Sequence, residues 1–208
     1  MQIKQLVLTT SFLACSLASA PTWAELIVNG GFETPPVTSS GPPPGLGFDY
    51  KTGTQITGWT ITGAKEPLFN ATYQPVGGGT QSLQLESVSP LTQTFATTPG
   101  QLYLLTFDLA AYNMLDTAPQ IAPLEVIVAA LTANFIGNDL AYVTQTLPFV
   151  ATGTSTTLSF RNAGAFGTNF PQIDDVSVVA AAAPEPGSLA LLGITVVALG
   201  FARRRKQR

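Results

Sequence analysis

The residues of this chain that could do chemistry are oxygen donors. Its 208 residues include no histidine and one cysteine, Cys15, which excludes Ser-His-Asp and Cys-His triads, histidine metal sites, zinc ribbons and disulfide frameworks. Carboxylates, hydroxyls, amides and backbone carbonyls remain. Two short motifs hold some of them far apart in sequence: Leu26-Ile27-Val28-Asn29-Gly30-Gly31-Phe32-Glu33 near the start, and Ile173-Asp174-Asp175-Val176-Ser177-Val178 near the end. If the first and last strands lie side by side, Glu33 meets Asp174 and Asp175. Three carboxylates brought together raise one another's pKa unless a cation stands between them. Calcium takes about six to eight oxygens, carboxylate and carbonyl alike, and glycine lets a carbonyl come close. The competing arrangement has Glu33 and Asp175 solvated or accepting from loop amides, with Gly30 and Gly31 serving a turn.

Sugar binding is the second chemistry within reach of these residue types. The axial C–H groups of a pyranose stack on aromatic faces while amides and carboxylates take its hydroxyls. Tyr50, Tyr73 and Tyr112 are the candidates, because tyrosine supplies a ring and a hydroxyl together. Trp59, beside Gly58, is expected to pack in the core or at a sheet edge. Glycoside hydrolysis needs two carboxylates, and Asp108, Asp116, Glu125 and Asp139 are available. No spacing recommends a pair, and the chain has little room for a catalytic domain. A non-enzymatic role is expected.

The elements that must position these groups read as strands. Charged residues are 10% of the chain, against about 25% in ordinary soluble domains, and 19 glycines with 16 prolines break up long helices. Strand candidates are Leu26–Val28, Gln55–Thr62, Gln81–Ser87, Leu91–Phe95, Leu102–Ala111, Leu124–Thr132, Tyr142–Val150, Thr156–Arg161 and Gln172–Val179. Several alternate with period two, as Tyr103, Leu105, Phe107 and Leu109 do, the mark of half-buried antiparallel strands. The class expected is all-β, an antiparallel two-sheet jelly-roll β-sandwich over residues 25–179. Residues 34–53, with Pro35-Pro36 and Pro42-Pro43-Pro44, are expected to form one irregular loop. Between 25 and 183 there are eleven acidic and three basic residues, a net of −8. That sign repels phosphate backbones, so no nucleic-acid partner is expected.

The two ends read as addresses. Lys4 and the apolar run Leu6–Ala18 have the layout of a secretory signal peptide, with Thr22 and Ala24 as the small residues before a cut that makes 1–24 the leader. Export of this kind makes the Sec translocon a partner. At the other end, residues 180–183 form a linker, followed by Pro184-Glu185-Pro186, an apolar run over 189–202, and a basic end over 203–208 that includes Arg203, Arg204 and Arg205. Fourteen apolar residues make about 21 Å of helix against a hydrocarbon core of about 30 Å. The basic end should stay cytoplasmic and leave the body outside.

This tail, 184–208, resembles the PEP-CTERM sorting signal in every part and in order. The resemblance implies a protein held in the inner membrane by a single transmembrane sorting helix until an exosortase cleaves near the motif. It implies a Gram-negative, exopolysaccharide-making source and a final place at the cell surface or outside the cell. The body resembles the galactose-binding-like jelly rolls of many carbohydrate-binding modules, through Asn29-Gly30-Gly31-Phe32-Glu33, Gly58-Trp59, Gly79-Thr80-Gln81-Ser82-Leu83 and Asp174-Asp175-Val176. That likeness implies a structural Ca2+ held by Glu33, the carbonyl of Gly31 and Asp174, with Asp175 as the alternate. It also implies binding of exopolysaccharide or another glycan. The competing function is a structural protein of the envelope or biofilm matrix without specific sugar binding.

Overall fold

The computed structural model describes residues 24–38, 47–71, 77–112, 121–138, 141–164 and 169–181. The leader up to residue 23 and the tail from 182, with Pro184, Glu185, Pro186, Arg203, Arg204, Arg205 and the apolar run 189–202, lie outside the described residues, as does Tyr73. Among the described residues no helix is long and apolar enough to cross a membrane.

The described residues form ten antiparallel strands: β1 (Phe48–Gly53), β2 (Thr60–Asn70), β3 (Gln81–Gln84), β4 (Leu91–Ala96), β5 (Leu102–Tyr112), β6 (Ile121–Val128), β7 (Leu131–Asn138), β8 (Val143–Val150), β9 (Ser155–Asn162) and β10 (Phe170–Ala180). Hydrogen bonding runs in the order β7-β6-β9-β4-β2-β3-β10-β5-β8, with β1 also on β2. Strand β2 is the corner between two layers. Its start, Thr60 and Ile61, pairs with β4, whereas its end, Leu68–Asn70, pairs with β3. The layers close on each other through aromatic rings: Phe107 of β5 stands 5.2 Å from Phe160 of β9 and 5.2 Å from Phe135 of β7. This is the jelly-roll β-sandwich expected from the alternation.

The alternating residues supply the core. Leu105, Phe107, Leu109, Leu124, Val126, Leu158, Phe160 and Ile173 are at most 1% exposed, and their burial is the main driving force for closing the layers. Trp59 is in the core too, packed on Phe32 and Phe160.

Several strand boundaries differ from the sequence reading. Where Gln55–Thr62 is expected, a turn closed by the Trp59 N–H on the Ile56 carbonyl at 3.0 Å precedes β2, which runs Thr60–Asn70, and β3 ends at Gln84 rather than Ser87. Residues 34–53 are not one loop, because β1 starts at Phe48 and pairs Phe48 with Phe69 and Tyr50 with Pro67. Those residues alternate aromatic and polar, a pattern masked by the prolines before them. The run 124–132 is a hairpin rather than one strand, since Ala129 takes φ +52° and reverses the chain between β6 and β7. Leu26–Val28 forms no strand; it runs beside β10, where the Leu26 N–H donates to the Val178 carbonyl at 3.0 Å. Its neighbour Gln93 occupies the Val28 N–H and carbonyl, at 2.7 and 3.0 Å, in place of a ladder.

Candidate functional site

The opening motif and Gly58-Trp59 form one clamp. Asn29, at φ +56°, donates its side-chain amide to the Thr34 and Thr57 carbonyls at 2.8 and 3.0 Å and accepts from the Thr34 N–H at 3.0 Å. Its own carbonyl accepts from the Trp59 indole at 3.0 Å. Asparagine tolerates the left-handed backbone and mimics a turn with its side chain, which suits both demands. Gly30 lies against β10: a methyl placed on it would stand 1.8 Å from the Val176 carbonyl oxygen. The motif therefore threads Phe32 into the core and delivers Glu33 to the surface beside the end of β10.

Glu33 and the Asp174-Asp175 pair do come to one region, around Gly77, Gly78 and Gly79. Glu33 accepts from the Thr80 and Gln81 amides at 2.6 and 3.0 Å and from the Thr80 hydroxyl. Asp174 accepts from the Gly77 and Gly78 amides at 2.8 and 3.0 Å, and from the Asp175 amide at 2.8 Å. Gly79 has φ +57°, and a methyl there would meet a Glu33 oxygen at 2.2 Å. A fourth carboxylate joins them: Asp108 of β5 is the register partner of Asp174 and accepts from the Thr144 hydroxyl at 2.6 Å. Asp175 has φ +45° and sits at the bulge between Asp174 and Ser177.

Burial dominates the electrostatics here. It pushes the Asp174 carboxyl up to about 7 although three amides favour its charged form. Asp175 is raised by burial, then by the charges of Asp108 and Glu33. The donor chemistry, four carboxylates and several carbonyls, fits a hard cation such as calcium. The arrangement fits less well. Among the described residues no three acidic side chains converge as a metal group, and much of the acceptor capacity of Glu33 and Asp174 is spent on amides of 77–81. Gly31 is adjacent, with its Cβ direction 3.5 Å from an Asp175 oxygen and 3.9 Å from an Asp174 oxygen. Glu33 and Asp174 both accept from loop amides, and Asp175 is less committed than its neighbours.

Sugar-binding candidates fall on a different part of the same layer. Side chains alternate across a sheet, so Leu68, Leu83, Ile173 and Leu109 face the core, while Phe48, Tyr50, Phe69, Ser82, Gln84, Gln172, Asp174, Asp108 and Tyr112 share the outer face. Four rings make a row on it: Tyr50 to Phe48 at 5.4 Å, Phe48 to Phe69 at 5.0 Å and Phe69 to Tyr112 at 6.2 Å. Tyr50 and Tyr112 are its two ends. One face of the Tyr50 ring already carries the Lys65 ammonium, 3.8 Å from the centroid, and its hydroxyl is bound to Glu86.

Beside the rings lie polar groups that the sequence reading missed. Gln84 and Gln172 are register partners and are 3% and 0% exposed. Gln172 donates to the Ser82 hydroxyl at 2.8 Å, and Gln84 donates to Glu86 at 3.1 Å. The Gln84 side-chain oxygen is buried and has no hydrogen-bond partner among the described residues. The only available signal was alternation, which marks Gln84 as pointing away from the core and suggests solvent.

The acids weighed for hydrolysis separate. Glu125 is ion-paired with Arg161 at 2.6 Å on the other layer, Asp108 lies beside Asp174, and Asp116 and Asp139 are outside the described residues.

No curated protein matches the chain by sequence. Several solved structures resemble the chain. The CBM22-1 xylan-binding domain from Paenibacillus barcinonensis Xyn10C has 16% identity and a TM-score of 0.45, with 66% of this chain and 98% of that one covered. TmCBM61 in complex with β-1,4-galactotriose has 12% identity and a TM-score of 0.46, with 76% and 99% covered. The arabinose-bound α-L-arabinofuranosidase MgGH51 has 13% identity and a TM-score of 0.50, with 76% of this chain but 26% of that one covered. At 13% identity the last of these likenesses is one of fold alone. Residues 182–206 match the PEP-CTERM protein-sorting motif, the segment whose proline, apolar and arginine parts are in that order here. The sandwich itself, over residues 25–179, matches the family described as protein of unknown function DUF642, and the chain belongs to that family.

Proposed function

We propose that the chain is an exported, non-catalytic glycan-binding protein. The sorting tail holds it in the inner membrane, with the body on the periplasmic side, until an exosortase cuts near Pro184-Glu185-Pro186. The body then acts at the cell surface or outside the cell, on exopolysaccharide or another glycan. The observation that carries the binding is the Gln84 oxygen, buried and without a donor, on the sheet face that bears the ring row from Tyr50 to Tyr112. An unpaired buried acceptor is costly; a sugar hydroxyl would supply the donor once the cover over this face moves aside. Of the rings beside it Phe48 and Phe69 are buried, so the apolar half of pyranose recognition falls to the two ends of the row, exposed Tyr50 and half-buried Tyr112.

A structural calcium ion belongs to the same reading, held by Glu33, Asp174 and Asp175 with the carbonyl of Gly31. It would supply charge compensation to four neighbouring acids and no chemistry. The donor set supports it; the amide contacts of Glu33 and Asp174 would be shared with it.

Binding to a broad panel of immobilised polysaccharides tests the function. Weak, salt-insensitive binding lost in Tyr50→Ala and Tyr112→Ala is expected. Clean absence across the panel would favour the structural matrix role instead. The sorting half is tested separately: replacing Pro184, Glu185 and Pro186 by alanine should leave uncut protein in the membrane.

A further inference from the structure

We infer that the end of the sandwich from which the sorting tail leaves is a membrane-facing surface, lying on lipid headgroups while the tail is embedded. The inference rests on the reading of the tail as an anchor. Strand β10 ends at Ala180, and the next residue is pinned: the Ala181 N–H donates to the Leu102 carbonyl at 2.9 Å and the Ala181 carbonyl accepts from Gln101 at 2.9 Å. The sorting motif begins one residue later. From Ala181 to Leu189, the first residue of the apolar run, the chain spans at most about 28 Å when fully extended. This end of the body cannot stand far from the bilayer.

Its composition suits that neighbour. The β4–β5 and β8–β9 turns interlock here, through Gly100 N–H to Ala151 carbonyl at 2.8 Å and Thr97 N–H to Thr154 carbonyl at 3.0 Å. Leu102 and Val150 are register partners, 43% and 52% exposed, and open to solvent beside the tail exit. The turns at this end, residues 96–102 and 150–155, carry no charge and lie within longer uncharged stretches, between Glu86 and Asp108 and between Asp139 and Arg161. Glu25 is the described exception, and its carboxylate is tied to the Ile27 and Val178 amides at 2.9 and 2.8 Å and to the Ser177 hydroxyl. A body of net charge −8 is repelled by anionic headgroups. The uncharged end is the one that meets them without that repulsion, and it offers two aliphatic side chains to the interface.

The test uses the full chain with Cys15→Ser, reconstituted in vesicles containing phosphatidylglycerol, with one nitroxide label at Leu102→Cys, Val150→Cys, Val88→Cys or Ala190→Cys. Val88 is 63% exposed and precedes β4, at the opposite end. Relaxation by a headgroup-tethered nickel chelate should be at least about fivefold stronger at 102 and 150 than at 88. Equal relaxation at all three overturns the inference. A label at 190 in lipid contact, with 102 and 150 like 88, overturns it while leaving the anchor intact; no lipid contact at 190 refutes the anchor itself. Dipolar broadening between labels at 102 without nickel relaxation means that a second copy covers the surface, and overturns it as well.

Discussion

Asp174 and Asp108 stand directly opposite each other on neighbouring strands β10 and β5. Like charges in that relation destabilise a sheet by up to about 1 kcal/mol. The sandwich accommodates them by burying Asp174 under the Gly77 and Gly78 amides and lifting its carboxyl to about 7. In chelator-treated protein at pH 8, above the Asp174 value, Asp108→Asn should raise stability by about 0.5–1 kcal/mol. Urea unfolding followed by tryptophan fluorescence checks this, and a loss of stability would mean that the Thr144 contact outweighs the repulsion.

A second buried acid sets a pH dependence. Glu66 is 1% exposed, and burial pushes it up to about 7 from 4.5, against hydrogen bonds from Ser87 and the Glu86 amide. Glu86 and Tyr50 are the titratable groups coupled to it, and Lys51 is its register partner on β1. The folded state binds this proton more tightly than the unfolded chain. Stability should therefore be highest below about pH 4.5 for this group, fall through the window up to about 7, and level off above. The total is on the order of 3 kcal/mol. Comparing Tm against pH for the native chain and Glu66→Gln isolates the contribution; parallel curves would remove Glu66 as its source.

The clamp at Asn29 should be intolerant. Asn29→Ala removes three side-chain hydrogen bonds and places alanine at φ +56°. A loss of about 2–4 kcal/mol is expected, with Asn29→Gly recovering the backbone part. If Gly and Ala cost the same, the strain contribution is absent.

Much of the fold was legible from alternation, because a half-buried strand must place apolar groups on one side. Tyr103, Leu105, Phe107 and Leu109 marked β5 for that reason. β1 was hidden behind the prolines of 35–44, and the β6–β7 reversal at Ala129 lacks the glycine or asparagine that usually signals a left-handed turn. At the site, Glu33, Asp174 and Asp175 were visible from the paired motifs, and Tyr50 and Tyr112 from residue type. Gln84 was not, and Asp108 stood only among the acids weighed for hydrolysis. Their importance comes from register across β5, β10 and β3, which a single sequence does not display, and from cover over a polar face that alternation assigns to solvent.

Calcium binding gives a direct check on the acidic region. Millimolar Ca2+ should raise Tm by several degrees, since a ligand bound only to the folded state stabilises it by mass action. The rise should be lost in Glu33→Gln and in Asp175→Asn, the latter retaining the amide contacts of Glu33 and Asp174. An unchanged Tm in the native chain would leave these carboxylates as loop clamps alone.

Calorimetric titration of the folded chain with exopolysaccharide from its own source tests glycan recognition most directly. The expected result is micromolar to millimolar binding that survives salt and is weakened at least about tenfold, or about 1.4 kcal/mol, by Gln84→Ala or Tyr112→Ala. Absence of heat with every polysaccharide tried, or binding untouched by both substitutions, would contradict the account.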